Sequence, residues 1–149
     1  MYEDIIIRAK RDGIERLNVA IALYSKDKKV LICKRSSDKK FLPNVWHLPG
    51  GKVEEKESIL KSLKREVFEE LRLKISDIEY TEITHNYIGH GNISARTEFF
   101  IGKAQGEIIL NEENQDYKWI SSEEVKNFFD DHVIDINEKI ISLIENKYN

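Results

Sequence analysis

Apolar positions along this chain alternate between strand-like runs and helical spacing. Residues 16–24 (RLNVAIALY) and 29–35 (KVLICKR) are β-prone apolar runs around the polar turn Ser25-Lys26-Asp27-Lys28, a pattern that predicts a hairpin. Residues 78–88 and 93–104 are two longer β-rich runs separated by Gly89-His90-Gly91-Asn92, a second hairpin signal. Between the two pairs, Ile59, Leu60, Leu63, Val67 and Leu71 recur every three to four residues and predict an amphipathic helix, with Ser58 as its N-cap. The stretch 36–48 reads as an irregular loop holding Pro43, and Pro49 closes it just before Gly50 and Gly51. Short strands are expected at 107–110 and 117–120, on either side of a polar acidic loop at 111–116. Ser121-Ser122-Glu123-Glu124 starts a helix that runs on through 125–129, and 134–144 carries a last one. This order predicts an α+β fold, a mixed-sheet sandwich with helices on both faces.

Composition narrows the class. A chain of 149 residues, 40% hydrophobic and 34% charged, suits one globular domain over residues 1–149 with a core of its own. The N-terminus is acidic with a very short apolar run, Ile5-Ile6-Ile7, unlike a secretory signal. No apolar run approaches the roughly eighteen residues that a membrane helix needs. Cys33 is the sole cysteine, so no internal disulfide forms, and a reducing, cytoplasmic setting is expected. The net charge of −3 provides no broad electrostatic footprint for a nucleic acid polymer, yet leaves room for a small nucleotide met by a few local charges.

The candidate chemistry lies on the central helix. Glu66, Glu69 and Glu70 stand three and four residues apart and so share one patch of helix surface. Such a patch repels itself unless it is paired or bound to a cation. Lys61, Lys64 and Lys74 are available for ordinary surface pairing, and a hard divalent cation is the alternative. The wider register decides between them. Gly51, five residues, Glu57, seven residues, Arg65-Glu66, Val67, one residue, Glu69-Glu70, then Arg72 and Leu73 resembles the Nudix box, with Arg72 in place of the usual glycine. The resemblance covers about residues 17–129 and implies an α/β/α sandwich. It also implies Mg²⁺-dependent hydrolysis, with Mn²⁺ as a substitute, of a phosphoanhydride in a nucleoside diphosphate derivative. In that reading Glu66, Glu69 and Glu70 hold metal, and glycine's close backbone approach lets Gly50 or Gly51, with Gly51 preferred, offer a carbonyl to it. Arg65 orients a glutamate, Glu57 supports the loop, and Glu66 helps activate water. Arg72 is expected to alter the helix end or its stability and to leave activity intact.

Outside the box the candidates are sparser. Arg35 ends a strand before the loop and is a candidate for substrate phosphates, with Lys34 and Lys40 behind it. Trp46 and Phe41 are positioned to stack on a base, although core packing is the simpler role for Trp46. Glu113, in the acidic loop before Trp119, is the candidate for a further metal ligand. His47, His85 and His90 are left without a role, and there is no paired His/Cys spacing for zinc. The spacing from Arg35 to the box resembles MutT-type pyrophosphohydrolases. The expected reaction is therefore a (deoxy)nucleoside triphosphate, oxidised ones such as 8-oxo-dGTP included, going to monophosphate and pyrophosphate. Nucleotide sugars and dinucleoside polyphosphates are the alternative substrates. A Nudix-fold isomerase, a non-catalytic nucleotide sensor and a purely structural domain are the alternatives in kind. The apolar stripe Ile140, Ile141, Ile144 fits either a core or a homodimer contact.

Overall fold

The computed structural model describes residues 1–147. The elements run α1 (Glu3–Arg11), β1 (Arg16–Leu23), β2 (Val30–Arg35), β3 (Trp46–His47), β4 (Gly50–Lys52), α2 (Ile59–Leu71), β5 (Lys74–Gly89), β6 (Ile93–Gln105) and β7 (Asn114–Ile120). A single 3₁₀ turn (Ser122–Glu124), α3 (Val125–Phe128) and α4 (Asp131–Lys147) follow. The strands form two sheets, one ordered β4-β1-β6-β5 and the other β3-β2-β7. In the first, β1 lies parallel to β6 while its other neighbours pair antiparallel, so the sheet is mixed as expected.

Side-chain alternation along β1 and β2 explains the layering. Val19, Ile21 and Leu23, with Leu31 and Cys33, enter one core alongside Ile5 of α1 and Ile59, Leu63, Val67 and Leu71 of α2. Ala20, Ala22, Val30 and Ile32 point the other way and meet Val125, Phe129, Ile140, Ile141 and Ile144. A strand buried on both faces reads as a continuous apolar run, which is what these two segments look like. Helices therefore cover both faces, and the sandwich holds.

Several local expectations are corrected. β1 and β2 are not a paired hairpin. Both edges of β1 are taken, by β4 and β6, so the chain crosses to the second sheet and leaves only an isolated bridge, Tyr24 to Val30, near the turn. The loop 36–48 contains the two-residue strand β3. Residues 107–110 are not a strand. The Ile109 N–H donates to Leu71 O at 3.0 Å and Asn111 N–H to Glu70 O at 3.3 Å, so this segment satisfies carbonyls at the end of α2. Its Ile108 and Leu110 pack on the first core. Part of the expected acidic loop belongs to β7, β5 begins earlier than expected, and the last helix is longer at both ends. Helix α1 was not expected at all. Ile140, Ile141 and Ile144 are fully buried within the chain, so that stripe serves the core rather than a dimer.

Candidate active site

Gly50 and Gly51 bring β4 to β1 and to the acidic face of α2. A methyl group on Gly50 would stand 2.0 Å from the Val19 carbonyl oxygen, so the backbone contact there requires glycine. At Gly51 the space that a side chain would take is filled by the Glu66 carboxylate, whose Cδ lies 2.4 Å from the ideal Cβ position. One turn along, Glu70 is 7% exposed and accepts a 3.2 Å hydrogen bond from the Gly50 N–H. Ser58 caps α2, its hydroxyl accepting from the Lys61 N–H at 3.2 Å. That cap and the buried stripe fix which way the glutamates face.

Arg65 holds the patch together. Its Nε donates to Glu57 Oε2 at 2.6 Å and its Nη2 to Glu57 Oε1 at 2.9 Å, a two-pronged contact. Nη1 donates to Glu66 Oε1 at 2.8 Å and reaches Glu69 Oε2 at 3.4 Å, and Nη2 also meets Lys52 O at 3.0 Å. The Ser62 hydroxyl adds a 2.7 Å bond to Glu57. Arg65 thus ties the loop carried by Glu57 to the helix, and among the described residues the ion pairs of Glu66 and Glu69 go to it rather than to Lys61, Lys64 or Lys74.

The electrostatics differ sharply within this small area. Hydrogen bonds from Arg65, with lesser help from Ser62 and the Glu54 amide, pull the Glu57 carboxyl down to about 2. Burial pushes Glu70 up to about 8, and the negative charges of Glu66 and Glu113 add to the rise. Glu66 is also raised, chiefly by burial, although Arg65 opposes it. Near neutral pH, Glu70 without a cation therefore favours its protonated form.

The donor set is all oxygen. It fits a hard divalent cation, whose charge would relieve both burial and mutual repulsion at Glu66 and Glu70. Among the described residues no three histidine, cysteine or acidic side chains already converge to hold a metal. Arg65 and the Gly50 amide engage Glu66 and Glu70 instead.

Beyond the box, Arg35 donates from Nε to Phe41 O at 2.8 Å, and its Nη1 lies 3.7 Å from Glu113 Oε2. Lys39, rather than Lys34 or Lys40, is the other cation on Glu113, at 3.4 Å. Glu113 is close enough for its charge to raise both Glu66 and Glu70, so the loop before β7 does reach the patch. Trp46 packs edge-on against Phe128, ring centroids 5.3 Å apart, and also faces a cavity.

That cavity has a volume of about 530 Å³. Its floor is the sheet, through Asn18, Ala20, His85, Tyr87, Thr97 and Phe99, and it opens onto Gly50 and Gly51. Phe41, Leu42 and Trp46 form one wall; Phe129, His132, Val133 and Asn137 form the other. His85 stacks on Tyr87 at 5.5 Å with 14° between the rings, and burial lowers its pKa. His47 also lines the cavity. Burial lowers its pKa, and its Nδ1 lies 2.8 Å from Leu48 O. A neutral ring that donates there needs a donor at Nε2. Turning the Asn114 amide supplies one and pairs an otherwise unpaired Asn114 Nδ2.

Sequence reasoning missed His85, Tyr87, His132 and Asn137 as one lining. The available signals were the same-face spacing of His85 and Tyr87 on a strand, and an asparagine set among the isoleucines of the last helix.

The sandwich, with an acidic helix laid against a Gly-Gly strand, is the arrangement the box implied. A NUDIX domain model matches residues 15–140, and the chain belongs to that family. An 8-oxo-dGTP diphosphatase of Buchnera aphidicola subsp. Schizaphis graminum (strain Sg) is 32% identical over 111 residues, covering 74% of this chain and 82% of the relative. Nucleoside triphosphatase NudI of Escherichia coli O139:H28 (strain E24377A / ETEC) is 30% identical over 120 residues, covering 74% of this chain and 85% of the relative. Among solved structures, the MutT protein from Methanosarcina mazei Go1 superposes with a TM-score of 0.70 at 21% identity, over 89% of this chain and 94% of that one. At that identity the likeness speaks for the fold.

Proposed function

We propose that this chain is a nucleotide pyrophosphohydrolase. It would cleave a (deoxy)nucleoside triphosphate, oxidised forms included, into the monophosphate and pyrophosphate with one water consumed. The observation that carries the reading is continuity. The apolar cavity opens onto Gly50 and Gly51, and Gly51 is the residue whose missing side chain makes room for the Glu66 carboxylate. A base in the cavity therefore leaves its phosphates beside the acidic patch. The curated relatives act on the same kind of ligand by name, an 8-oxo-dGTP diphosphatase and a nucleoside triphosphatase.

In this proposal Glu66, Glu69 and Glu70 hold a divalent cation, Mg²⁺ or Mn²⁺, with the Gly51 carbonyl and Glu113 as further ligands. When bound, such a cation would supply charge neutralisation for phosphate oxygens and a more acidic water. The protein supplies the rest. Arg65 orients Glu66 while Glu57 holds Arg65 in place. Arg35 is placed for the phosphates once its contact with Glu113 gives way, and Trp46 borders the base. Glu66, raised by burial and already oriented, is the carboxylate proposed to take the proton from water.

The test is pyrophosphate and phosphate release with Mg²⁺ across nucleoside triphosphates, 8-oxo-dGTP, nucleotide sugars and diadenosine polyphosphates. Glu69→Gln and Glu70→Gln should each lower turnover of triphosphates at least about a hundredfold while circular dichroism stays unchanged. No turnover of any triphosphate with either cation would overturn the proposal.

A further inference from the structure

Among the described residues four strands stand at sheet edges, and three of them are poor templates for a further strand. β3 and β4 have two and three residues. β5 is long, but its ladder with β6 shifts register twice, and Asp77 and Glu82 turn left-handed at φ 51° and 62° within those irregular stretches. β7 is different. Its pairing with β2 is regular from Asp116 to Ile120, with one shift toward the Asn114 end, and no strand lies on its other side.

The direction of its backbone groups follows from β2. The Arg35 N–H donates to Val45 O at 2.9 Å, and Arg35 O accepts from the Asn44 N–H at 3.1 Å, so Arg35 faces β3. Alternation then turns Lys34, Ile32 and Val30 toward β7, onto Asp116, Lys118 and Ile120. Tyr117 and Trp119 are left with N–H and C=O pointing out of the sheet. The Tyr117 N–H agrees, for it donates to the neighbouring carboxylate, Asp116 Oδ1, at 2.8 Å. The side chains of Tyr117 and Trp119, 39% and 36% exposed, share one face, and Asp116 and Lys118 share the other.

We infer that β7 is a homodimer seam, which pairs antiparallel with β7 of a second copy about a two-fold axis at Tyr117. The two three-stranded sheets then become one. Charge selects this occupant. With the axis at Tyr117, each Asp116 falls opposite Lys118 of the second copy, in the non-hydrogen-bonded kind of pair where side chains come closest. The two Tyr117 residues exchange backbone hydrogen bonds between them. Moving the axis by one residue sets Asp116 against Asp116 or Lys118 against Lys118, which repels. Neither charge has an ion pair among the described residues: Asp116 is bonded to backbone, and Lys118 lies 6.0 Å from the Phe128 ring centroid. Asp116 therefore guards the edge in the free chain and becomes a partner in the pair. The seam is short, so the dimer is weak, with a dissociation constant on the order of 100 µM.

Sedimentation equilibrium of the full chain from about 5 to about 500 µM tests the seam. Wild type should pass from monomer to dimer over that range, less readily when salt is raised from about 50 to about 500 mM. Asp116→Lys and Lys118→Asp each put like charges across the seam and should weaken self-association at least about tenfold. An equimolar mixture of the two should recover wild-type affinity, because every charge across the seam again meets its opposite. If a single variant melts lower than wild type, the double variant on one chain gives the same reading, since it too restores opposite charges. A wild type that stays monomeric at about 500 µM overturns the inference and leaves the edge to a strand of another protein. A dimer that neither charge variant weakens overturns it as well, as does a loss that neither the mixture nor the double variant recovers. The readout is mass, so the result is independent of whether the chain hydrolyses nucleotides.

Discussion

A methyl group on Gly51 would collide with the far end of a flexible side chain, whereas one on Gly50 would collide with backbone. The two alanine variants should therefore fail differently. Gly51→Ala is expected to fold, because Glu66 can swing away, and to lose at least about a hundredfold in turnover because that carboxylate is displaced. Gly50→Ala is expected to cost about 3 kcal/mol in urea unfolding, since the strand itself must move. Glu57 makes a separate prediction through pH. Its carboxyl is held at about 2 against an ordinary 4.5. Above 4.5 both folded and unfolded chains are ionised there, and the pairing with Arg65 contributes in full. As pH falls from 4.5 toward 2 the unfolded chain protonates first and the contribution is lost. Glu57→Gln should therefore melt below wild type at pH 7, with the gap closing through that acid window.

At the scale of elements, α2 shows how much a helix states locally. Ser58 caps it as its sequence predicts, and the helix ends at Leu71, with Arg72 left-handed at φ 62° where a box glycine would be. Arg72 itself adopts the left-handed conformation at the helix end, so a cost in stability is expected there. The strain of a non-glycine residue there is about 1 kcal/mol, and the Arg72 guanidinium recovers part of it by lying 5.2 Å from the Phe68 ring centroid. Arg72→Gly should be about 0.5 kcal/mol more stable than wild type in denaturant titration, and Arg72→Ala less stable than wild type by a similar amount. Both should retain wild-type turnover. The segment after α2 teaches the opposite lesson. Residues 107–110 have strand-like composition, but their backbone groups are drawn to the helix end.

For the molecule as a whole, α1 lies outside the matched family region of residues 15–140 yet contributes to the first core. Ile5 has no exposed surface, and Tyr2 packs edge-on against Phe100 at 5.4 Å. Ile5→Ala should cost about 2–5 kcal/mol in a single cooperative transition, as for any buried isoleucine. A loss below about 0.5 kcal/mol would mean that the helix docks without supporting the fold.

The resemblance to the Nudix box implied that Arg65 orients a glutamate and that Glu57 supports the loop, while the sequence by itself determined the acidic helix, its cap and its buried stripe. These features depend on neighbours within a turn or two of helix, so periodicity and spacing express them directly. It also made β1 and β2 strands, since their apolar runs permit little else. Tertiary structure decided which sheet each strand joins, because pairing depends on which edges remain free once distant strands have docked. It alone brought Asn18, Trp46, His85, Phe99 and Asn137 around one cavity, from positions far apart in the chain. In the sequence Asn137 is one of several polar residues in the last helix; only the folded surroundings bury it and leave its carbonyl oxygen without a partner.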